Sequence, residues 1–494
     1  MKPRSNILTL TALSVFSSLI APLEANVNAL DKMESSFDWE GMDKSISPGE
    51  DFYHYSVGTW MKNTEIPEGH SSWGTLKMIH SENVKKIQSL FNSDFVAKTH
   101  DEKLLRDFYN SFKNTKLQTE AGVKPIRSLL KSITSVNSRK KLVKVLGDLN
   151  KKGFSAFFTQ GVGSHPYEGD KHILYIGQAH LNLPDYEIYL EKFDTKTNEH
   201  RAKREKYLTY VENIFVLLGY GEKEAKIKAN SVYMLEKSFA VEFYTKEQRR
   251  DVKRITNLYT YNNLQEDIPF SYEPFFNRMG INPTSINVVN PKSLSSIITK
   301  IQSEELNTLK AYLEFTVANS LAPYLGEQFY KMRFDMYART MYGIAAPKPI
   351  EERAVEASSN FLSDPLGKAY VTRFFSHEKK KQALEMVELI KRAFVQKIDE
   401  LSWLEEVKKK KALEKLEKMH VLIGYPDEED WVDFSSLTLD QKKPLVSNML
   451  KIYAFHAKEE IAKMKKAVNP KEWQMGAQEV NACNVPTQNK IIFP

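Results

Sequence analysis

The sequence predicts a mainly α-helical protein that closes on a β-hairpin, and three features of its residues say so. Glycine and proline number only 20 each in 494 residues, which favours long helices over a many-turned β architecture. From about Ser81 to Ile423 apolar residues recur mostly with a 3.6-residue period. Glu479–Asn484 and Lys490–Pro494 then place β-branched and aromatic residues (Val480, Ile491, Ile492, Phe493) on either side of the turn-forming Val485-Pro486-Thr487-Gln488-Asn489. A hairpin alone is marginal, because two strands bury little surface and leave an edge unpaired.

Taken in order, the chain opens with Lys2 and Arg4 ahead of an apolar stretch, Ile7 to Ile20, and small-residue cleavage sites at Leu23-Glu24-Ala25 or Val27-Asn28-Ala29. This reads as a secretory signal over 1–25, with a retained N-terminal membrane anchor as the alternative; the apolar run is short for a spanning helix, so no stable membrane insertion is expected. The only cysteine is Cys483, so no intramolecular disulfide can form, and an exported protein without one fits a bacterial periplasm or a secreted product. A hydrophobic share of 41% with 27% charged residues describes a soluble globular protein long enough for more than one domain. The net charge of +7 is spread over short runs such as Lys379–Lys381 and Lys408–Lys411, each beside glutamates at helical spacing. These are solvated helix faces and not a nucleic-acid footprint.

Pro48-Gly49 forms a turn, Glu50-Asp51 charges the start of a helix, and Phe52, Tyr55 and Trp60 are expected to face a core. Leu384, Val387, Ile390, Phe394, Ile398 and Leu401 make one stripe on a helix begun near Ser376, and such a stripe is expected to be core. Ser402-Trp403-Leu404-Glu405 matches a capping box opening a further helix, which ends before Gly424-Tyr425-Pro426. Gly161-Val162-Gly163-Ser164 lacks the lysine of a phosphate loop and reads as a turn. Ile173-Leu174-Tyr175-Ile176 reads as a strand.

Val480-Asn481-Ala482 followed by Asn489-Lys490-Ile491-Ile492-Phe493-Pro494 resembles the signature just ahead of the active site in the neprilysin family, zinc endopeptidases that include endothelin-converting enzyme and bacterial oligopeptidase O. Ser47-Pro48-Gly49-Glu50-Asp51-Phe52-Tyr53, with Tyr55, Gly58, Trp60, Ile66-Pro67 and Gly74, is similar to that family's opening motif. Between them, Leu183-Pro184-Asp185, Tyr189-Leu190, Glu236 with Ala240, Arg249-Arg250-Asp251, Pro365–Val371 and Ile423–Asp427 follow in family order. The resemblance implies a large helical cap domain inserted into an incomplete thermolysin-like α/β domain that ends in the hairpin. It divides the chain into first peptidase-domain residues at 26–90, the helical cap at 91–430, and a return with the substrate edge hairpin at 431–494. It also implies that Asn481 and Ala482 hold an oligopeptide backbone by strand addition. Two departures stand out. The arginine, aspartate and second arginine usual around Gly74, which bear on the far end of the substrate, are Ser72, Lys77 and His80, so carboxylate recognition there is altered or lost. His180, Asn182 and Tyr186 stand where glycine, glycine and arginine are usual.

The family's zinc site needs two imidazoles one helical turn apart, a glutamate between them and a third carboxylate ligand. In the family this motif comes after the hairpin, and the sequence stops at Pro494. His377-Glu378 is followed by lysines, His456 has no partner imidazole, and His172 and His180 lie on a strand-like run. No residue is therefore assigned to catalysis or to metal, and zinc is expected only of a complete family member. The chain is expected to be the N-terminal portion of such an endopeptidase, inactive alone. The alternatives are a non-catalytic peptide-binding protein, or a chain that pairs with a separately encoded C-terminal half.

Overall fold

Polar side chains open many of the helices that dominate the computed structural model, which describes residues 38–92, 96–194 and 198–494. The expected export signal lies outside the described residues. Thr99 and Glu102 form a capping box: Thr99 Oγ1 accepts from the Glu102 N–H at 3.2 Å and Glu102 Oε2 from the Thr99 N–H at 2.9 Å, starting the helix His100–Lys113. Ser376 caps the helix His377–Glu400 as expected. The predicted box at Ser402 is not formed. Trp403 and Leu404 lie in a turn, and the next helix, Glu406–Glu417, starts from Glu405, whose carbonyl accepts from the N–H groups of Lys408 and Lys409.

The chain divides into two compact units, Met1–Pro67 and Glu68–Pro494. In the first, the helix Phe52–Asn63 is capped by Asp51 and lays Gly58 on Asp43; a Cβ on Gly58 would stand 2.9 Å from Asp43 Cβ. Lys62 Nζ, 2.6 Å from Asp43 Oδ2, and the hydrogen bonds from Ser45 hold the Asp43 carboxyl down at about 2. The aromatics do not form the expected core: Tyr55 and Trp60 are half-buried and Phe52 is 68% exposed, because the helix turns its glycine inward.

The second unit carries two small sheets among its helices. Strands β1 (Phe158–Ser164), β2 (His172–Ala179), β3 (Leu258–Thr260) and β4 (Ser285–Val288) form a sheet in the order β1-β2-β4-β3; β2 and β4 are parallel and the outer pairs antiparallel. The run Gly161–Ser164 is therefore strand, not turn. Gly163 leaves room for the Tyr175 ring across the ladder, whose hydroxyl donates to the Ser164 carbonyl at 2.6 Å. Strands β5 (His420–Ile423), β6 (Cys483–Val485) and β7 (Lys490–Phe493) form the second sheet in the order β5-β7-β6. The predicted hairpin is the antiparallel pair β6–β7, and β5 adds to it in parallel through His420↔Lys490 to Ile423↔Phe493. This third strand supplies the support that a lone hairpin lacks.

Two apolar clusters organise this unit. The larger gathers Phe157, Tyr207, Phe215, Phe239, Tyr312 and Phe315, all fully buried, from the residue just ahead of β1 and the long helices Glu199–Leu217, Glu222–Ala240 and Leu306–Leu321. The smaller joins Val84 and Ile87 of the helix Thr75–Gln88 to Phe108, Val355, Leu366 and Met449. The helix His377–Glu400 belongs to neither. Lys380 is its only buried residue, while Leu389 is 60% and Phe394 54% exposed, with Met386 and Ile390 also exposed. The 3.6-residue stripe gave the helix correctly, but the described residues do not cover it, so its assignment to the core is corrected. No helix among the described residues is long and apolar enough to cross a membrane.

Candidate functional site

Residues 476–482 lie over the smaller cluster and run into β6. Asn83 Nδ2, from the helix Thr75–Gln88, donates to the Gln478 carbonyl at 2.5 Å, and Gln478 Nε2 donates to Ser359 Oγ at 2.9 Å and Ser363 Oγ at 3.3 Å. Gly476 is required by close approach, since a Cβ there would run into Ser363 Oγ and the Gln478 amide. The Gly476 N–H donates to Glu479 Oε1 at 2.9 Å and the Glu479 N–H to the Gly476 carbonyl at 3.0 Å, closing a tight turn.

Beyond this anchored turn, Val480–Ala482 has no secondary structure. The first strand, expected over Glu479–Asn484, thus begins four residues later, at Cys483, because the ladder with β7 starts at Cys483↔Ile492. Asn481 and Ala482 are both exposed, and Asn481 Oδ1 accepts from the Ala482 N–H at 2.9 Å. Across the hairpin, Asn489 sits in the left-handed region at φ 45°, where asparagine is among the few tolerated side chains, and its Nδ2 donates to the Lys415 carbonyl at 2.7 Å. Lys490 is buried, its Nζ donating to the Glu472 carbonyl at 2.8 Å, and burial pushes its pKa down. Cys483 is half-buried, and burial pushes its thiol above the usual range, as suits a packing residue.

Two concavities flank the segment. A pocket of about 260 Å³ has Asn83, Glu356, Gln478 and Asn481 in its wall, and a cleft of about 1010 Å³ runs past Gly476, Trp431, Trp473, His456 and Glu460. Ser359, Asn360 and Glu479 line both, so the segment forms the rim between them. In the cleft wall Asp364 accepts from the Val432 N–H at 3.0 Å, and burial raises its pKa. Of the three residues that depart from the family pattern around Gly74, Lys77 Nζ donates to Ser72 Oγ at 2.5 Å, and His80 Nε2 lies 3.7 Å from Glu356 Oε1. Burial pushes Glu356 up, but His80 and Lys348 outweigh it and hold the carboxyl below its usual range. Gln478, Asn83 and Glu356 escaped the sequence reading. None stands in a motif or at a telling spacing, and only the fold brings residues 83, 356 and 478 together.

Among the described residues no group of three or more His, Cys, Asp or Glu could hold a metal ion. His172 Nδ1 and His456 Nε2 each lie 2.9 Å from a backbone carbonyl, of Lys466 and Phe361, and burial lowers the pKa of His180.

Comparison with known proteins identifies the family. The model of the family described as Peptidase family M13 matches residues 48–426. Neprilysin-3 of Drosophila melanogaster is 27% identical over 489 residues, covering 92% of this chain and 61% of that protein. Endothelin-converting enzyme 1 of Bos taurus is 26% identical over 481 residues, covering 92% of this chain and 62% of that protein. The crystal structure of the Mycobacterium tuberculosis zinc metalloprotease Zmp1 in complex with an inhibitor superposes with a TM-score of 0.84 at 25% identity, covering 93% of this chain and 69% of that one. The chain thus spans about three fifths of the length of these curated relatives.

Proposed function

The chain belongs to peptidase family M13, and on that premise we propose that it is the substrate-holding part of a zinc metalloendopeptidase acting on oligopeptides. The observation that supports this reading is the run Val480–Ala482, which stands outside the ladder, follows Glu479 on the rim shared by the pocket and the cleft, lines the pocket with Val480 and Asn481, and continues into β6. A peptide laid beside it adds as a strand, with the Ala482 N–H donating to, and the Asn481 side chain bonding, the incoming backbone. On this reading the Asn481 oxygen keeps the Ala482 N–H satisfied until a peptide carbonyl replaces it. Residues 91–430 act as the cap and 431–494 as the returning segment that carries the rim.

The described residues bind and orient; the zinc-activated water of such an enzyme is no part of what they do. The zinc ligands of such an enzyme would come from outside the described residues. A second reading, a peptide-binding protein that does not cut, is favoured by the mutual engagement of Lys77 with Ser72 and of His80 with Glu356 where the family has charged recognition residues. We also read the protein as exported to a periplasm or secreted. N-terminal sequencing of the protein from its host should begin near residue 26 or 30; a start at Met1 contradicts export with cleavage.

Ala482→Pro tests the holding role, because proline removes the donating N–H at a residue outside the ladder. Titration of a labelled oligopeptide, followed by fluorescence anisotropy, should show about tenfold weaker binding for the variant. Equal binding by variant and parent would contradict the assignment.

A further inference from the structure

The positive charge of the chain is concentrated in one stretch. Residues 121–152 hold nine lysines and arginines against one carboxylate, Asp148, a net of +8 where the whole chain carries +7, so the rest of the chain is close to neutral. This stretch folds as the short turn Lys124–Ile126, the helix Arg127–Thr134 and the helix Arg139–Lys151. Leu129 and Ile133 of the first helix and Leu142, Val143, Leu146 and Leu149 of the second are buried in the larger apolar cluster. Lys124, Arg127 and Lys131 recur three and four residues apart, and Lys140, Lys144 and Lys151 four and seven apart, so each set stands on one helix face. All but the half-buried Lys144 are exposed, and none of the six has an ion-pair partner among the described residues. Between the two faces Lys141 Nζ donates to the Ser135 carbonyl at 2.6 Å and Lys310 Nζ to the Thr134 carbonyl at 3.4 Å, so the junction is basic as well.

The placement of these cations works against the helices that carry them. Neither helix has an acidic residue in its first turn; Arg127 opens the first, and Arg139, Lys140 and Lys141 open the second. Cations there oppose the positive end of the helix dipole. Arg139 has a use within the fold, donating to the carbonyls of Ile301 and Glu304, both at 2.6 Å, and Lys141 ties the two helices together. Arg127 and Lys140 have no such use among the described residues. Carboxylates at the borders already face other cations: Glu120 lies 3.9 Å from Lys116 Nζ, Asp148 3.7 Å from Arg278 Nη1 and Glu304 3.6 Å from Lys300 Nζ. A local rule broken with no gain inside the fold points to a partner outside it.

We propose that these two helices form a docking surface for an anionic lipid bilayer, held at the headgroups by charge and without insertion. Lysine supplies seven of the nine cations, and an ammonium is a point charge that suits a diffuse anionic surface better than the bidentate reading of a single group. Residues 121–152 contain no Phe, Tyr, Trp, His or Met. They offer no ring on which a nucleic-acid base could stack, and none of the aromatic or Met anchors that protein interfaces favour. The apolar side of both helices is packed in the core, which leaves only charge to meet the bilayer. Attraction of this kind concentrates the chain at a membrane to an extent that salt controls.

The test is sedimentation of the 494-residue chain with vesicles of phosphatidylcholine, alone or with about 30% phosphatidylglycerol. The neutral vesicles report whatever the apolar stretch Ile7 to Ile20 contributes, and the excess on anionic vesicles is what the basic helices add. At about 0.1 M salt the anionic vesicles should bind the chain about a hundredfold better than the neutral ones, and at about 0.5 M the two should converge. The triple variant Lys131→Gln, Lys140→Gln, Lys151→Gln should lose about fivefold for each lysine, and with it nearly all of the excess. Lys379→Gln, Lys410→Gln and Lys411→Gln together remove the same charge from exposed positions elsewhere and should leave the excess unchanged. All six substituted lysines are exposed, so both variants should fold as the parent does. No excess on anionic vesicles, or equal losses from the two triple variants, overturns the proposal. Displacement by a short DNA duplex at a lower phosphate concentration than phosphatidylglycerol requires would assign the surface to nucleic acid and overturn it too.

Discussion

Glu236 shows what a single residue contributes within the helical region. Its carboxyl is fully buried, with Asn182 N and Nδ2 donating to Oε1 at 3.2 and 2.5 Å, and the Tyr189 and Tyr207 hydroxyls donating to Oε2 at 3.0 and 2.6 Å. Burial pushes its pKa up to about 7, against the downward pull of Asn182 and the tyrosines. The unfolded chain loses this proton at the ordinary carboxylate value, so between there and pH 7 the native state binds more protons and stability falls as pH rises, by an order of 3 kcal/mol. Glu236→Gln should flatten that part of the stability profile, measured by thermal unfolding between pH 4.5 and 7.5. An unchanged slope contradicts the assignment. Glu236 and Asn182 were both visible in the sequence, the first as part of a motif and the second as a departure from one. Their bond was not, since 54 residues separate them. Asn481 and Ala482, by contrast, are proposed from a contiguous signature that holds both.

At the scale of elements, periodicity found helices and could not say what covers them. The stripe on His377–Glu400 keeps a helical period, yet its Ile390 and Phe394 are exposed, as is the neighbouring Leu389. Leu389→Lys and Phe394→Lys should therefore shift the unfolding free energy of this chain by no more than about 0.5 kcal/mol, whereas Phe108→Ala, in the smaller cluster, should cost about 3–5 kcal/mol. Thermal unfolding of the three variants decides it, and losses on the helix face equal to that at Phe108 would show the face to be covered. The four-stranded sheet was mostly missed, because β3 and β4 span only three and four residues and β1 carries two glycines that signal a turn. Only β2, with its run of β-branched and aromatic residues, declared itself. The hairpin was read correctly but not its partner. β5 comes 60 residues or more before β6, and nothing local in His420–Ile423 announces that pairing.

For the whole molecule, mainly helical architecture followed from sparse glycine and proline, and family order of the motifs supplied the family. The central claim is that this chain holds peptides and does not cut them unaided. A quenched fluorogenic oligopeptide, offered to the purified 494-residue chain with zinc and then with a chelator, reads both properties at once. The account predicts saturable binding with no rise in fluorescence from cleavage in either condition. Zinc-dependent, chelator-sensitive cleavage, or the lack of any saturable binding, would contradict it.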